Sequence, residues 1–167
     1  MTLAIDMIGT PLGSGTRTYN LNFCNYVSNN SIKEDIYIFI TKDYLKDIKI
    51  SENSKIKFIV KSHIYTNIFL RIFWMQFLFP FELKKLKVTQ LFSPMNMSPL
   101  ILRVLNIKLT LALHSNLPWV YFDMMPGNLI RNIITKYLMQ FSVKNNPISN
   151  NFFTKLILIE KFILKLI

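Results

Sequence analysis

The sequence predicts an α/β protein, a Rossmann-like parallel sheet with helices on both faces. Three observations carry that expectation. Short β-branched and aromatic runs recur along the chain, stretches of helical periodicity separate them, and a cluster of glycines stands between the first run and the first helix. Alternation of this kind favours parallel pairing, because a crossover helix returns the chain to the same end of the sheet. At 167 residues the chain has the size of one domain with a real core.

The first run, Met1 to Ile8, is apolar enough for a buried strand. Gly9, Pro11, Gly13 and Gly15 end it, and Tyr19, Leu21, Phe23, Tyr26 and Val27 then recur at roughly helical spacing. Glycines allow backbone N–H groups to approach a ligand, and a helix N-terminus favours an anion. A Walker loop is excluded, since Thr16 and Arg17 follow Gly15 where Lys and then Ser or Thr are required. The dinucleotide fingerprint also fails, with Thr18 in the place of its third glycine and Asp35 a poor ribose-binding acid. A plain turn between strand and helix is the alternative reading of these residues.

Further strands are expected at Asp35 to Ile40, Ile56 to Val60, Val88 to Phe92 and Lys108 to Leu113. Between them, Thr41 to Ile48 reads as a short helix capped by Thr41, and Asn67 to Leu86 as an apolar helix that Pro80 kinks or restarts. Ser93-Pro94-Met95-Asn96-Met97-Ser98-Pro99 forms a loop at a strand's carboxyl end, where ligands bind in open α/β sheets. Leu100 to Leu105 is a short helical turn. A final amphipathic helix places Leu129, Ile130, Ile133, Ile134, Tyr137, Leu138 and Phe141 on a face expected to cover the sheet, with Arg131, Asn132, Lys136 and Gln140 opposite. Beyond Lys144 the composition shifts to an Asn-rich turn and a tail of Ile, Leu, Phe and Lys.

Half of the chain, 51%, is hydrophobic and only 17% is charged, which excludes a disordered chain. Lys and Arg outnumber Asp and Glu by 20 to 9, a net charge of +11 that suits phosphorylated substrates or anionic headgroups. Nucleic acid is a poor partner, since the basic residues are dispersed and no recognition motif is present. The lone Cys24 excludes an intramolecular disulfide and offers too few soft ligands for a metal cluster, so no metal is expected and a reducing cytoplasm is the simplest location. The N-terminus lacks the pattern of a secretory signal. Asn67, Arg71 and Gln76 interrupt the longest apolar stretch, Ile64 to Phe81, which therefore reads as a buried or interfacial helix and not as a membrane span. Of the two histidines, His114 follows the fifth strand and stands beside the expected cleft, where a near-neutral pKa suits proton transfer or a bond to a hydroxyl. A structural His capping a loop is its alternative.

Three segments together resemble the N-terminal domain of retaining group 1 (family 4) glycosyltransferases of the GT-B fold. Gly13-Ser14-Gly15-Thr16-Arg17-Thr18-Tyr19 resembles the family's glycine-rich loop after the first strand. Arg71-Ile72-Phe73-Trp74-Met75-Gln76-Phe77-Leu78-Phe79-Pro80 is similar to an Arg, Trp-Glu-Gln, Pro segment of some members. Leu91-Phe92-Ser93-Pro94-Met95-Asn96, with the strand ending at His114, resembles the Ser-Pro loop and His-Asp turn. Met75 replaces the usual Glu, and Ser115 the usual Asp.

The resemblance implies transfer of a sugar from a nucleotide-sugar donor to a glycan or lipid-linked acceptor. It makes His114 the catalytic residue and gives substrate contacts to Gly13, Ser14, Gly15, Thr16, Arg17, Ser93, Asn96 and Asn116. No metal or other cofactor is implied beyond the nucleotide sugar itself. Residues 1–144 would form the acceptor-side domain and 145–167 a degenerate or truncated tail; the donor-binding half, a possible partner domain, has no counterpart in the sequence. Such a domain is expected to be cytoplasmic and peripheral to the inner face of the membrane. The competing expectation, from the charge and the aromatic stretch Phe69 to Phe81, is a non-catalytic module that binds a membrane surface or anionic headgroup.

Overall fold

The computed structural model describes residues 1–10, 13–29, 34–48, 55–112, 122–125 and 127–144. Five short β-rich runs form its strands: β1 (Thr2–Asp6), β2 (Asp35–Thr41), β3 (Ile56–Lys61), β4 (Gln90–Ser93) and β5 (Lys108–Leu111). They make one parallel sheet in the order β3-β2-β1-β4-β5. Leu3 lies opposite Ile36 on one side and Gln90 on the other, which sets β1 at the centre.

Side-chain alternation then divides the apolar residues between two faces. Leu3, Ile5 and Met7 join Ile36, Ile38 and Ile40 beneath α1 (Gly15–Asn29), which contributes Phe23, Cys24 and Val27. Ala4 and Ile8 face the other way, toward Trp74, Met75, Phe79 and Leu83. The expected α/β sheet with helices on both faces is what the chain builds.

Asn67 starts the second helical stretch by accepting from the Phe69 and Leu70 amides through its side chain. This stretch runs as α2 (Ile68–Phe73), a single π-helical turn (Trp74–Leu78) and α3 (Phe79–Lys85). Pro80 explains the turn. It has no N–H to return to Gln76, and the wider turn closes on the Phe79 amide, which donates to the Trp74 carbonyl. Trp74 and Phe79 stack at 4.4 Å between ring centres, and Phe79 meets Phe39 edge-on at 4.8 Å. The helix ends where Lys87 turns left-handed (φ 53°).

Two local expectations are corrected. Thr41 does not cap a helix through its side chain: the turn that follows is a 3-10 turn, Lys42–Tyr44, and the Thr41 hydroxyl bonds the Asp43 carboxylate. The last helix, α4 (Leu129–Lys144), is rotated from its expected face, although Leu138 of that face still packs against the core. Asn132, Thr135, Met139 and Ser142 are buried, while Leu129, Ile130, Ile133, Tyr137 and Phe141 are exposed. Its polar anchors decide the rotation. The Ser142 hydroxyl accepts from the Ser98 amide at 3.0 Å, and the Asn132 side chain donates to the Met125 carbonyl at 2.9 Å. Turning the helix over would leave the buried Ser98 amide without its acceptor.

Ser142→Ala removes the hydroxyl without adding bulk and orphans the Ser98 amide; a loss of about 1–2 kcal/mol in urea denaturation is expected. Cys24 is fully buried, and burial pushes its thiol up to about 12. Its native thiol is therefore neutral at mildly alkaline pH, where an unfolded thiol of ordinary acidity ionises. A thiol reagent should label it only after denaturant is added, and rapid labelling of the native protein would contradict this packing.

Candidate functional site

A parallel sheet in this order has a switch point between β1 and β4. These neighbours pair directly, yet the chain leaves β1 toward β2 and leaves β4 toward β5. The loops after them part in opposite directions, and the crevice between them at the carboxyl edge is where such sheets take ligands. Two of the segments singled out in the sequence flank it: the glycine loop after β1 and the Ser93-Pro94 turn after β4.

In the glycine loop, Ser14 caps α1 by accepting from the Arg17 amide at 3.2 Å. Gly13 has φ +75°, a backbone conformation that requires glycine. Gly15 has an ordinary φ and open space where a Cβ would stand, so nothing in the fold demands glycine there. It is exposed beside half-buried Thr16 at the first turn of a helix with no acidic residue in that turn. Arg17 points elsewhere. Only 3% exposed, it bonds the Asp43 carboxylate at 2.5 Å and carbonyl at 3.1 Å and the Asp47 carboxylate at 2.8 Å, with its guanidinium 4.1 Å from the Tyr44 ring centre. Arg17 thus ties α1 to the turn after β2.

The electrostatics of that knot are consistent. Burial works against the Asp43 carboxylate, yet the bonds from Thr41 and Arg17 outweigh it and hold the carboxyl below its ordinary value. Burial likewise opposes the Arg17 cation, but Asp47 and Asp43 raise it overall. Tyr44 is pushed up to about 12 by burial, against the opposing effects of Asn20 and Arg17.

On the β4 side, Ser93 is fully buried and donates through its hydroxyl to the Met97 carbonyl at 2.5 Å, closing the turn in which Asn96 is left-handed (φ 60°). Gln76 clamps the next residues, donating to the Ser98 carbonyl at 3.2 Å and accepting from the Leu100 amide at 3.0 Å. The third segment thereby acquires a physical role. Gln76 positions the Ser-Pro loop, Trp74 donates to Glu82 at 3.2 Å, and Met75 lies in the core where the resembling family has a Glu.

His114 and Asn116 lie outside the described residues. What sequence reasoning missed is Asp6, 1% exposed, and its ion-pair partner Arg71, 3% exposed, at 3.7 Å. Asp6 ends β1 at the crevice and accepts from the Ile8 amide through Oδ1. Burial pushes its carboxyl above the ordinary value, only partly offset by Arg71, and burial also pulls the Arg71 guanidinium down. The signal was available: Asp6 is the one charge in the apolar run that forms β1. Among the described residues no group of three or more His, Cys, Asp or Glu could hold a metal, and no helix is long and apolar enough to cross a membrane.

Comparison with protein-family models, curated proteins and solved structures finds no match to this chain.

The glycines make contrasting predictions. Gly9→Ala forces a Cβ to 2.6 Å from Arg71 Cδ at φ +83° and should cost about 2 kcal/mol, whereas Gly15→Ala should be neutral or add about 0.5 kcal/mol; denaturant midpoints measure both.

Proposed function

We propose that this chain is the acceptor-side domain of a GT-B glycosyltransferase, which transfers a sugar from a nucleotide-sugar donor to a glycan or lipid-linked acceptor. The observation that carries the reading is the meeting of two segments, the Gly13 to Tyr19 loop and the Ser93 to Asn96 turn, on either side of the β1/β4 switch point of a parallel sheet. Both segments resemble one family, in the same order along the chain. In this reading Gly15 and Thr16 form the wall that a substrate approaches, Arg17 holds α1 in place, and His114 serves the acceptor hydroxyl. Stabilising the leaving diphosphate requires groups on the opposite side of the cleft, which the family takes from its second domain.

The test is transfer or hydrolysis of a panel of UDP- and GDP-sugars by the purified chain, alone and mixed with a candidate donor-binding domain. Activity is expected only in the mixture, and His114→Ala should reduce it at least about a hundredfold. Silence in the mixture, with the two parts shown to associate, would overturn the reading.

A specific surface favours membrane association as a second reading. Phe69, Phe73, Phe77 and Phe81 are exposed along the second helical stretch, flanked by exposed Leu70 and Leu78 and ending at exposed Lys84 and Lys85. Aromatic rings that run into lysines suit the interface of an anionic bilayer, and a peripheral location fits an enzyme with a lipid-linked acceptor. Co-sedimentation with anionic vesicles, weakened by salt and by Phe77→Ser/Phe81→Ser, is the expected result; equal binding to neutral vesicles would sink the electrostatic part of this reading.

A further inference from the structure

Two arginines are buried behind the glycine loop, and they are satisfied very differently. Arg17 has two carboxylates and a carbonyl as acceptors. Arg71 has one carboxylate, Asp6, whose Oδ2 is 3.7 Å from Nη2, beyond hydrogen-bond distance. Its Nε and Nη2 have no hydrogen-bond acceptor among the described residues. These two nitrogens form the side of the guanidinium that presents parallel N–H groups, the fork that grips a carboxylate or phosphate with two bonds. Buried donors without acceptors carry a desolvation cost that a protein rarely tolerates without a use for them.

Arg71 reaches the carboxyl end of β1 from α2, beside the switch point of the sheet. Gly9 lies against its side chain so closely that a Cβ would stand 2.6 Å from Cδ and 2.9 Å from both Nε and Nη1, so only glycine leaves the guanidinium its place. Asp6 Oδ1 is committed to the Ile8 amide, which keeps the carboxylate beside the guanidinium without closing on it. Nearby Tyr44 is neutral across the physiological range and offers no competing charge.

We propose that the Nε and Nη2 edge of Arg71 binds a phosphoryl group at the carboxyl end of β1, with the Asp6 carboxylate as the competing anion that it displaces. The ligand class is a phosphorylated small molecule. The site stands independently of sugar transfer, because Arg71 and Asp6 would bind an inorganic anion without any sugar.

The experiment titrates the full chain with inorganic pyrophosphate, phosphate and acetate at constant ionic strength, following the Arg71 Nε–H resonance by NMR and affinity by calorimetry. A saturable shift of the Arg71 resonance is expected with pyrophosphate and phosphate, and a weaker one or none with acetate. Arg71→Lys keeps the charge but not the fork and should weaken pyrophosphate binding about tenfold. Asp6→Asn keeps the acceptor for Ile8 and removes the competing charge, so it should bind more tightly than the wild type. The wild-type resonance decides the matter if either variant fails to fold. Absence of a saturable shift at Arg71, unchanged affinity in folded Arg71→Lys, or weaker binding by folded Asp6→Asn would each overturn the proposal. Pyrophosphate binding at Arg71 without sugar turnover in the complemented assay leaves this site standing and removes the glycosyltransferase reading; turnover that ignores Arg71 does the reverse.

Discussion

Everything in this molecule depends on β1 being paired on both edges and buried on both faces. β2 and β4 take its two rows of hydrogen bonds, and its alternating side chains root the apolar layers on either side of the sheet. A strand in that position can place a polar residue only at its end. Asp6 stands there, and its burial forces a cation to come to it. Arg71 answers from α2, which follows β3 in the chain, and so the pair fixes how α2 sits over the carboxyl edge.

The same logic organises the crevice. The loops there are tied by side chains from distant elements: Arg17 binds α1 to the turn after β2, while Gln76 binds the helical stretch and Ser142 binds α4 to the Ser-Pro loop. These ties are polar, buried to differing degrees, and few. They determine loop position, while the apolar layers determine only that the elements pack.

That division also explains what could be read from the sequence. The five strands and the flanking helices were legible because apolar runs and their period report burial directly, and Ile36, Ile38 and Ile40 or Phe23 and Val27 need no partner to be recognised. The orientation of α4 was not legible. Its stronger apolar stripe faces outward because Asn132 and Ser142 have acceptors and donors on Met125 and Ser98, and nothing in the local pattern encodes those partners. For the site, the glycine loop and the Ser93 turn were found by composition and order. The Asp6 and Arg71 pair was missed because the two residues are joined only by the fold, and Arg17, noticed for its place in a loop, is occupied with Asp43 and Asp47.

The π-helical turn at Trp74–Leu78 has a further meaning for the phase of the segment beyond it. It holds one more residue than a regular turn would, inserted without breaking the helix. The wider turn absorbs that residue; winding the same sequence as regular α-helix would swing everything beyond it by about 100° around the axis. Phe79 and Leu83 would then rotate off the sheet. The turn therefore keeps the segment beyond it in phase with α2, so that Phe79 and Leu83 stay in the core while Phe77 and Phe81 stay on the surface.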